Sequence, residues 1–451
     1  MKKIFLIIIG LLVFASAAGA ANKISELAAA RQKAYHPPAV KGVRLSNGML
    51  CYIMEDHNLP IIQGRVIVRS GAVYEDLKKK GLASVTSALL KDGGTAAKTP
   101  EELRGFLDEN AVDITFTPAP ESLEGYFGSL SKDKDTALDI FFEMLFYPRF
   151  DAEGLAIVKK RLIGGLKRDM ETPGPLVHRK FAELVYGKNS PWGSTPTPSS
   201  LKNITRRDIQ AFYDNSFSPD RMILAVAGDF KREEILKKLS LLAEKYQNRN
   251  LPEAVIPPAS SNEGPQTVLV SKKFTQSAMS LGHLGGTRDN PDKYALIMLN
   301  YILGGGGSFS NRLASAVRVK AGLAYEIWSA YSFGPPRAPA LFEIHAKTRN
   351  ETVEKALELI KGETARIRDT GVTPDEFKKA REGILNALVF EYERAFNIAT
   401  AAARYVYFGY PENYLEIYKN GIGETTIKDV NEAAKRYLQP DKLKVVVVGK
   451  K

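Results

Sequence analysis

The segment "GGGGSFSNR" runs Gly304, Gly305, Gly306 and Gly307 straight into Ser308, Phe309 and Ser310. A phosphate-cradling loop would need Gly-x-x-x-x-Gly-Lys-Ser/Thr after a strand, so that backbone amides and a lysine converge on the anion. Here the preceding "YALIMLNYIL" reads as a helix and a serine follows the last glycine, which argues against that chemistry. A helix C-terminal cap would account for one glycine or two. Consecutive glycines give up backbone entropy for mobility and close approach, which suits a loop that presents its backbone to a ligand.

Metal chemistry is harder to place. The five histidines are His36, His57, His178, His283 and His345, and no two lie three or four residues apart. Helical ligand motifs need that spacing, so the expectation is that this chain binds no metal of its own, short of a site assembled by folding from scattered residues. Cys51 is the only cysteine, so no disulfide can form within the chain.

With 451 residues, 44% of them hydrophobic and 25% charged, the chain can bury at least two cores. Its first residues, Lys2 and Lys3, an apolar run from Ile4 to Phe14 and then Ala18-Gly19-Ala20, read as a secretory signal peptide over 1–20. The apolar run suits a peptidase-cleaved leader better than a retained anchor, and no later stretch is long enough to span a bilayer stably. The mature chain is therefore expected to be exported, most simply to a bacterial periplasm. The formal charge of +12 becomes +10 when the two leader lysines are subtracted, but the basic residues are scattered over helical segments. Solvated faces explain them better than a nucleic-acid groove.

Two segments align without a gap. "TRRDIQAFYDNSFSPDRMILAVAG" from Thr205 and "TIKDVNEAAKRYLQPDKLKVVVVG" from Thr426 share Asp208/Asp429, Pro219/Pro440 and Gly228/Gly449 at one offset of 221 (426 minus 205). Each predicts a helix, a Pro-Asp turn and a buried closing strand, so the chain reads as a duplication. A first domain over 21–249 and a second over 267–451 would be joined by the Pro/Ser-rich linker 250–266. Strands are expected at Leu50 to Glu55, Ile61 to Arg69, Gln266 to Val270 and Gln276 to Leu284, with hairpins from Ala111 to Leu130 and Ala324 to Lys347. Helices are expected at Leu77 to Leu90, Asp133 to Tyr147, Ala152 to Met170 and Pro291 to Leu303. Blocks of strands and helices of this kind imply α+β with largely antiparallel sheets.

At this level the chain resembles the pitrilysin/insulinase family of zinc metallopeptidases. The resemblance is carried by "LSNGMLCYIMEDHNLPIIQGRVIVRSGAVYEDLKKKGLASVTSALL", by "WGSTPTPSSLKNITRRDIQAFYDNSFSPDRMILAVAGDF" and by "GGGGSFSNRLASAVRVKAGLAYEIWS", in the family's order from about Val43 to Gly449. It implies two homologous halves, each a sheet packed with helices, closing as a clamshell around a chamber. The family's His-x-x-Glu-His holds zinc and activates water, yet the window after Gly81-Leu82-Ala83 reads Ser84-Val85-Thr86-Ser87-Ala88. The later glutamate ligand would fall at Gly164 and Gly165. All three ligands are missing, while Arg318 and Tyr325 keep the seven-residue spacing (325 minus 318) of the pair that reaches the family's substrate.

The resemblance is nearest to the non-catalytic, processing-peptidase alpha-like subunit, whose glycine-rich loop contacts its substrate. It implies that Gly304 to Gly307, Ser308, Phe309, Arg318 and Tyr325 bind peptide. Arg318 and Tyr325 would act as accessories to zinc held by a homologous His-x-x-Glu-His partner. Two other readings stay open: a scaffold or peptide-binding protein of the same fold, and a homodimeric peptidase with an unrecognised metal site.

Overall fold

Among the described residues, six strands form one sheet and five form another, and the two sheets carry the same plan. In the computed structural model, which describes residues 36–252, 255–259, 264–307, 310–335 and 338–449, the chain from Ala39 onward is one compact unit. The leader expected over 1–20, and Ser308 and Phe309, lie outside the described residues.

The first sheet contains β1 (Gly42–Arg44), β2 (Leu50–Glu55), β3 (Ile61–Val68), β4 (Asp113–Pro118), β5 (Leu123–Leu130) and β6 (Met222–Gly228) in the order β1-β2-β6-β3-β5-β4. The second contains β7 (Thr267–Ser271), β8 (Gln276–Leu284), β10 (Ala324–Tyr331), β12 (Leu341–Arg349) and β13 (Lys444–Gly449) in the order β10-β12-β8-β13-β7. Two-residue strands β9 (Gly286–Thr287) and β11 (Phe333–Gly334) pair separately. Substituting β7 for β2, β13 for β6, β8 for β3, β12 for β5 and β10 for β4 converts one order into the other. The pairing senses match as well: β2 with β6 and β7 with β13 are parallel, and the remaining long pairs are antiparallel.

The closing strands behave as their sequences require. Every residue of β6 and of β13 is buried, as expected for short apolar runs covered on both faces. Thr205 and Thr426 each N-cap the helix that follows them, Arg206–Asp214 and Ile427–Tyr437, in a full capping box with Asp208 and Asp429. The helix over Ala152–Met170 has the expected bounds.

Two expected helices differ. The stretch from Leu77 opens with a short 3-10 turn, Leu77–Lys79, and the α-helix spans Leu82–Asp92, because Gly81 adopts a left-handed φ of 99° that no helix interior accepts. The helix expected to reach Leu303 is α-helical over Lys293–Asn300 and then widens into a π-turn, Tyr301–Gly305.

One face of each sheet packs on a core of its own half; the other is covered by a helix from the opposite half. The Pro173–Tyr186 helix lays Leu176, Val177, Phe181 and Val185 against Ala278, Val446 and Val448 of β8 and β13. The Ala395–Tyr407 helix lays Ala399, Ala402, Ala403 and Tyr407 against Tyr52, Ile67, Ile223 and Ala225 of the first sheet. These helices begin 222 residues apart (395 minus 173) and end 221 apart (407 minus 186), so the duplication extends to the exchange. Each buried Val, Leu or Phe contributes about 1.5–3 kcal/mol relative to exposure, which makes the two halves mutually dependent.

Candidate functional site

The Leu82–Asp92 helix is anchored at its start by a buried carboxylate. Glu75 accepts from Gly81 N at 3.0 Å and Ala83 N at 2.6 Å, and the Lys80 ammonium lies 3.7 Å away, both side chains almost fully buried. Burial raises the Glu75 carboxyl while these donors oppose it. Ser84 and Ala88, one turn apart, are half-buried on this helix, which packs against Ala152–Met170. On that second helix, a methyl at Gly164 would lie 3.6 Å from Arg168 Nη1 and one at Gly165 3.9 Å from its Nη2. A hydroxyl, a methyl and two hydrogens occupy the four positions, with a guanidinium beside them; none is a zinc ligand of the usual imidazole, thiolate or carboxylate kind.

The glycine segment is built differently from a free loop. Gly306 N donates to Tyr301 O at 3.1 Å, closing the π-turn. A methyl on Gly304 would meet Leu313 Cδ1 and Ser329 Oγ at 2.8 Å, and one on Gly306 would meet Tyr301 at 2.9 Å. At Gly305 it would collide with the Asn300 amide. Only at Gly307, of these four, would an added methyl meet nothing within 4 Å. Close packing therefore accounts for glycine at 304, 305 and 306. Beyond the undescribed pair, Asn311 Nδ2 donates back to Gly306 O at 2.9 Å while its Oδ1 accepts from Ala314 N at 2.8 Å. Arg312 Nε and Nη2 grip both oxygens of Glu376 at 2.7 and 2.8 Å, and Nη2 also reaches Gly371 O at 2.8 Å. Both ends of the segment are thus fixed.

Arg318 and Tyr325 come together. Arg318 lies in a second π-turn, Ala314–Lys320, which packs on β10, as does the glycine turn. Its guanidinium carbon stands 5.1 Å from the Tyr325 ring centroid, a cation–π distance. Tyr325 is the extra residue of a β-bulge: Ala324 pairs with Thr348 and Glu326 with Lys347. Ala324 and Ile327 both face the second-half core although they are three residues apart, so one residue between them must be expelled. That residue is Tyr325, 81% exposed.

Residues 203–384 match the description of a peptidase M16 inactive domain. The chain carries the inactive domain of peptidase family M16. It is 26% identical over 295 residues to an uncharacterized zinc protease of Streptomyces coelicolor, covering 64% of this chain and 63% of that one. Over 401 residues it is 23% identical to the non-peptidase homolog YmxG of Helicobacter pylori, covering 88% of this chain and 91% of that one. The crystal structure of a peptidase M16 inactive domain from Pseudomonas fluorescens superposes with a TM-score of 0.83 at 25% identity, covering 92% and 98%. The pitrilysin resemblance read from the sequence holds, and so does the α+β class. The match covers residues 203–384, and outside it Ser84, Ala88, Gly164 and Gly165 stand where the family resemblance places zinc ligands. Among the described residues no helix is long and apolar enough to cross a membrane.

The chain also assembles a cluster that no sequence motif announced. His178, Glu343 and His345 each bring one ligand-type atom within 4.8 Å of the other two. Glu343 and His345 are two apart on β12, hence on one face, and His178 comes from the Pro173–Tyr186 helix that crosses it. His178 Nδ1 lies 2.7 Å from Glu343 Oε1, which also accepts from Ser280 Oγ at 2.6 Å. The Trp328 ring stacks at 5.2 Å on His345, its partner in register, and at 5.6 Å on His178. Burial pushes the His345 imidazole down to about 4, with His178 adding to the effect, so the ring is neutral over the physiological range. The pairing of Glu343 with His345 could have been seen as a period-two pattern; His178 could not, because it arrives through the helix exchange.

Proposed function

We propose that this chain is the non-catalytic subunit of a two-chain zinc peptidase, working in a bacterial periplasm after removal of its leader. Its homologous partner carries His-x-x-Glu-His and the catalytic zinc, and this chain presents peptide to it. The observation that carries the reading is the asymmetry of the two halves. Ser84, Ala88, Gly164 and Gly165 offer no ligand, whereas Tyr325 is expelled on a bulge beside Arg318, on the strand that the glycine segment also packs against.

The chemistry available there is hydrogen-bond donation. A guanidinium offers a rigid fork and a phenol one more donor, and together they can hold a peptide carbonyl or stabilise the oxyanion that forms when water attacks it. Stacked as they are, the two side chains are already partly ordered, which lowers the entropy lost on binding. Neither generates a nucleophile, so hydrolysis needs the partner's metal-bound water.

The test is reconstitution. The chain is co-purified with a His-x-x-Glu-His relative and assayed for cleavage of unstructured peptides, alone and together. Cleavage is expected only from the pair, and Arg318→Ala or Tyr325→Phe should lower kcat/KM by about 10- to 1000-fold if the pair supplies oxyanion-type donors. Equal cleavage by the pair with either variant, or no stable association, would leave the scaffold reading in its place.

A further inference from the structure

The geometry points to a divalent metal site, zinc by donor type, held by His178, Glu343 and His345 and joining the first-half Pro173–Tyr186 helix to the second-half sheet. It lies apart from the positions at which the family resemblance places zinc, and it revises the expectation that this chain binds no metal.

Four observations support it. First, two imidazoles and a carboxylate form a donor set suited to zinc, with solvent completing four-coordination. Their ligand-type atoms lie within 4.8 Å of one another, and tetrahedral zinc at ordinary bond lengths needs roughly 3.4 Å between ligands, so side-chain rotation is enough to close the site. Second, His345 is only 1% exposed and its Nδ1 has no hydrogen-bond partner, a state that buried polar atoms rarely tolerate without a water or an ion. Third, supporting groups are in place: Ser280 donates to Glu343, and Glu326 Oε1 lies 3.7 Å from His345 Nε2, on the far side of the ring from Nδ1. A carboxylate that draws in behind a histidine on metal binding fixes its tautomer and leaves the other nitrogen to bind the ion, and Glu326 is placed for a small shift of that kind. Fourth, Trp328 stacks over both rings and shields them on one side.

Binding would exchange the His178–Glu343 hydrogen bond for two coordinate bonds and give His345 Nδ1 a partner. The ring planes, now 26° apart, would fan outward so that their lone pairs converge. Because the ligands come from both halves, the ion would act as a staple between them, with no catalytic role required.

The isolated full-length mature chain, stripped with a chelator, tests this without the peptidase partner, so failure of the peptidase reading would not touch it. Zinc per chain is measured by elemental analysis, affinity by competition with a chromophoric chelator, and geometry by cobalt absorption. One zinc per chain is expected, with an intense four-coordinate cobalt spectrum and a thermal midpoint that rises when zinc is added. His178→Ala removes a half-exposed side chain and should leave the fold intact while weakening zinc binding by about 100-fold or more; Ser280→Ala should cost about tenfold. Glu343→Gln should abolish the cobalt spectrum. A stripped wild-type chain that takes up no zinc at micromolar concentration, or a His178→Ala variant that binds as tightly as wild type, would overturn the proposal.

Discussion

Replacing Glu376 by glutamine removes the charge that holds the far end of the glycine segment. In the wild-type chain the Glu376 carboxylate receives Arg312 on both oxygens and also accepts from Thr373 N at 2.8 Å, closing a capping box for the Pro374–Glu391 helix. Burial alone would raise this carboxyl, but Arg312 and the Thr373 donors hold it at about 2, against an ordinary 4.5. With the side chain 28% exposed, solvent screening is partial, and the difference corresponds to at most about 3 kcal/mol at ~1.4 kcal/mol per tenfold. Since the folded-state value is depressed, this stability is fully present above the unfolded value of about 4.5 and is lost as pH falls toward 2. Urea unfolding at several pH values should therefore show wild type exceeding Glu376→Gln by about 2–3 kcal/mol near neutrality, with the gap narrowing below pH 4.5. Hydrogen exchange should quicken around Gly306 to Leu313 and stay unchanged in the Leu82–Asp92 helix. A gap below 1 kcal/mol at neutral pH, or one that does not vary between pH 6 and 2, would refute the argument. The bridge would then be an ordinary solvated ion pair.

The glycines can be separated by their surroundings: Gly304→Ala should lower stability by about 1–3 kcal/mol through overpacking against Leu313 and Ser329, while Gly307→Ala should stay within about 0.5 kcal/mol. Denaturant midpoints check both. Thr205→Ala and Thr426→Ala remove equivalent caps, and each should cost about 1 kcal/mol by the same measurement, approximately additively because the sites share no partner. Lys293 offers a pH test of opposite sign. Its ammonium is buried among the rings of Tyr410, Tyr414 and Tyr294 at 4.5, 4.8 and 5.4 Å, and burial lowers it to about 8 from 10.5. The unfolded chain then holds more proton between these values, so wild type should gain stability relative to Lys293→Met as pH climbs from 8 to 10. A constant difference over that range would mean that the ring faces offset the burial of the charge.

What the sequence made legible was whatever local pattern dictates. Alternation and apolar runs placed β2 and β8, the capping threonines marked two matching helices, and the spacing of Arg318 and Tyr325 drew attention to a pair that does meet. The glycine run was visible, but its cause was not. A run of Gly reads as mobility, whereas Gly304 to Gly306 sit within a residue's width of Ser329, Asn300 and Tyr301, contacts set by a π-turn that leaves no periodic signature. The bulge at Tyr325 was hidden for a related reason, since it follows from Ala324 and Ile327 both needing the core. Least legible was the exchange of helices. Nothing in "PGPLVHRKFAELVY" says that its apolar face belongs to the other half's sheet, because periodicity specifies that a face is buried and leaves open against what. Yet that exchange is what carries His178 over to Glu343 and His345. A census of histidines by spacing looks for ligands on one element, and this cluster needs a strand from one copy of the repeat and a helix from the other, so the duplication itself concealed it.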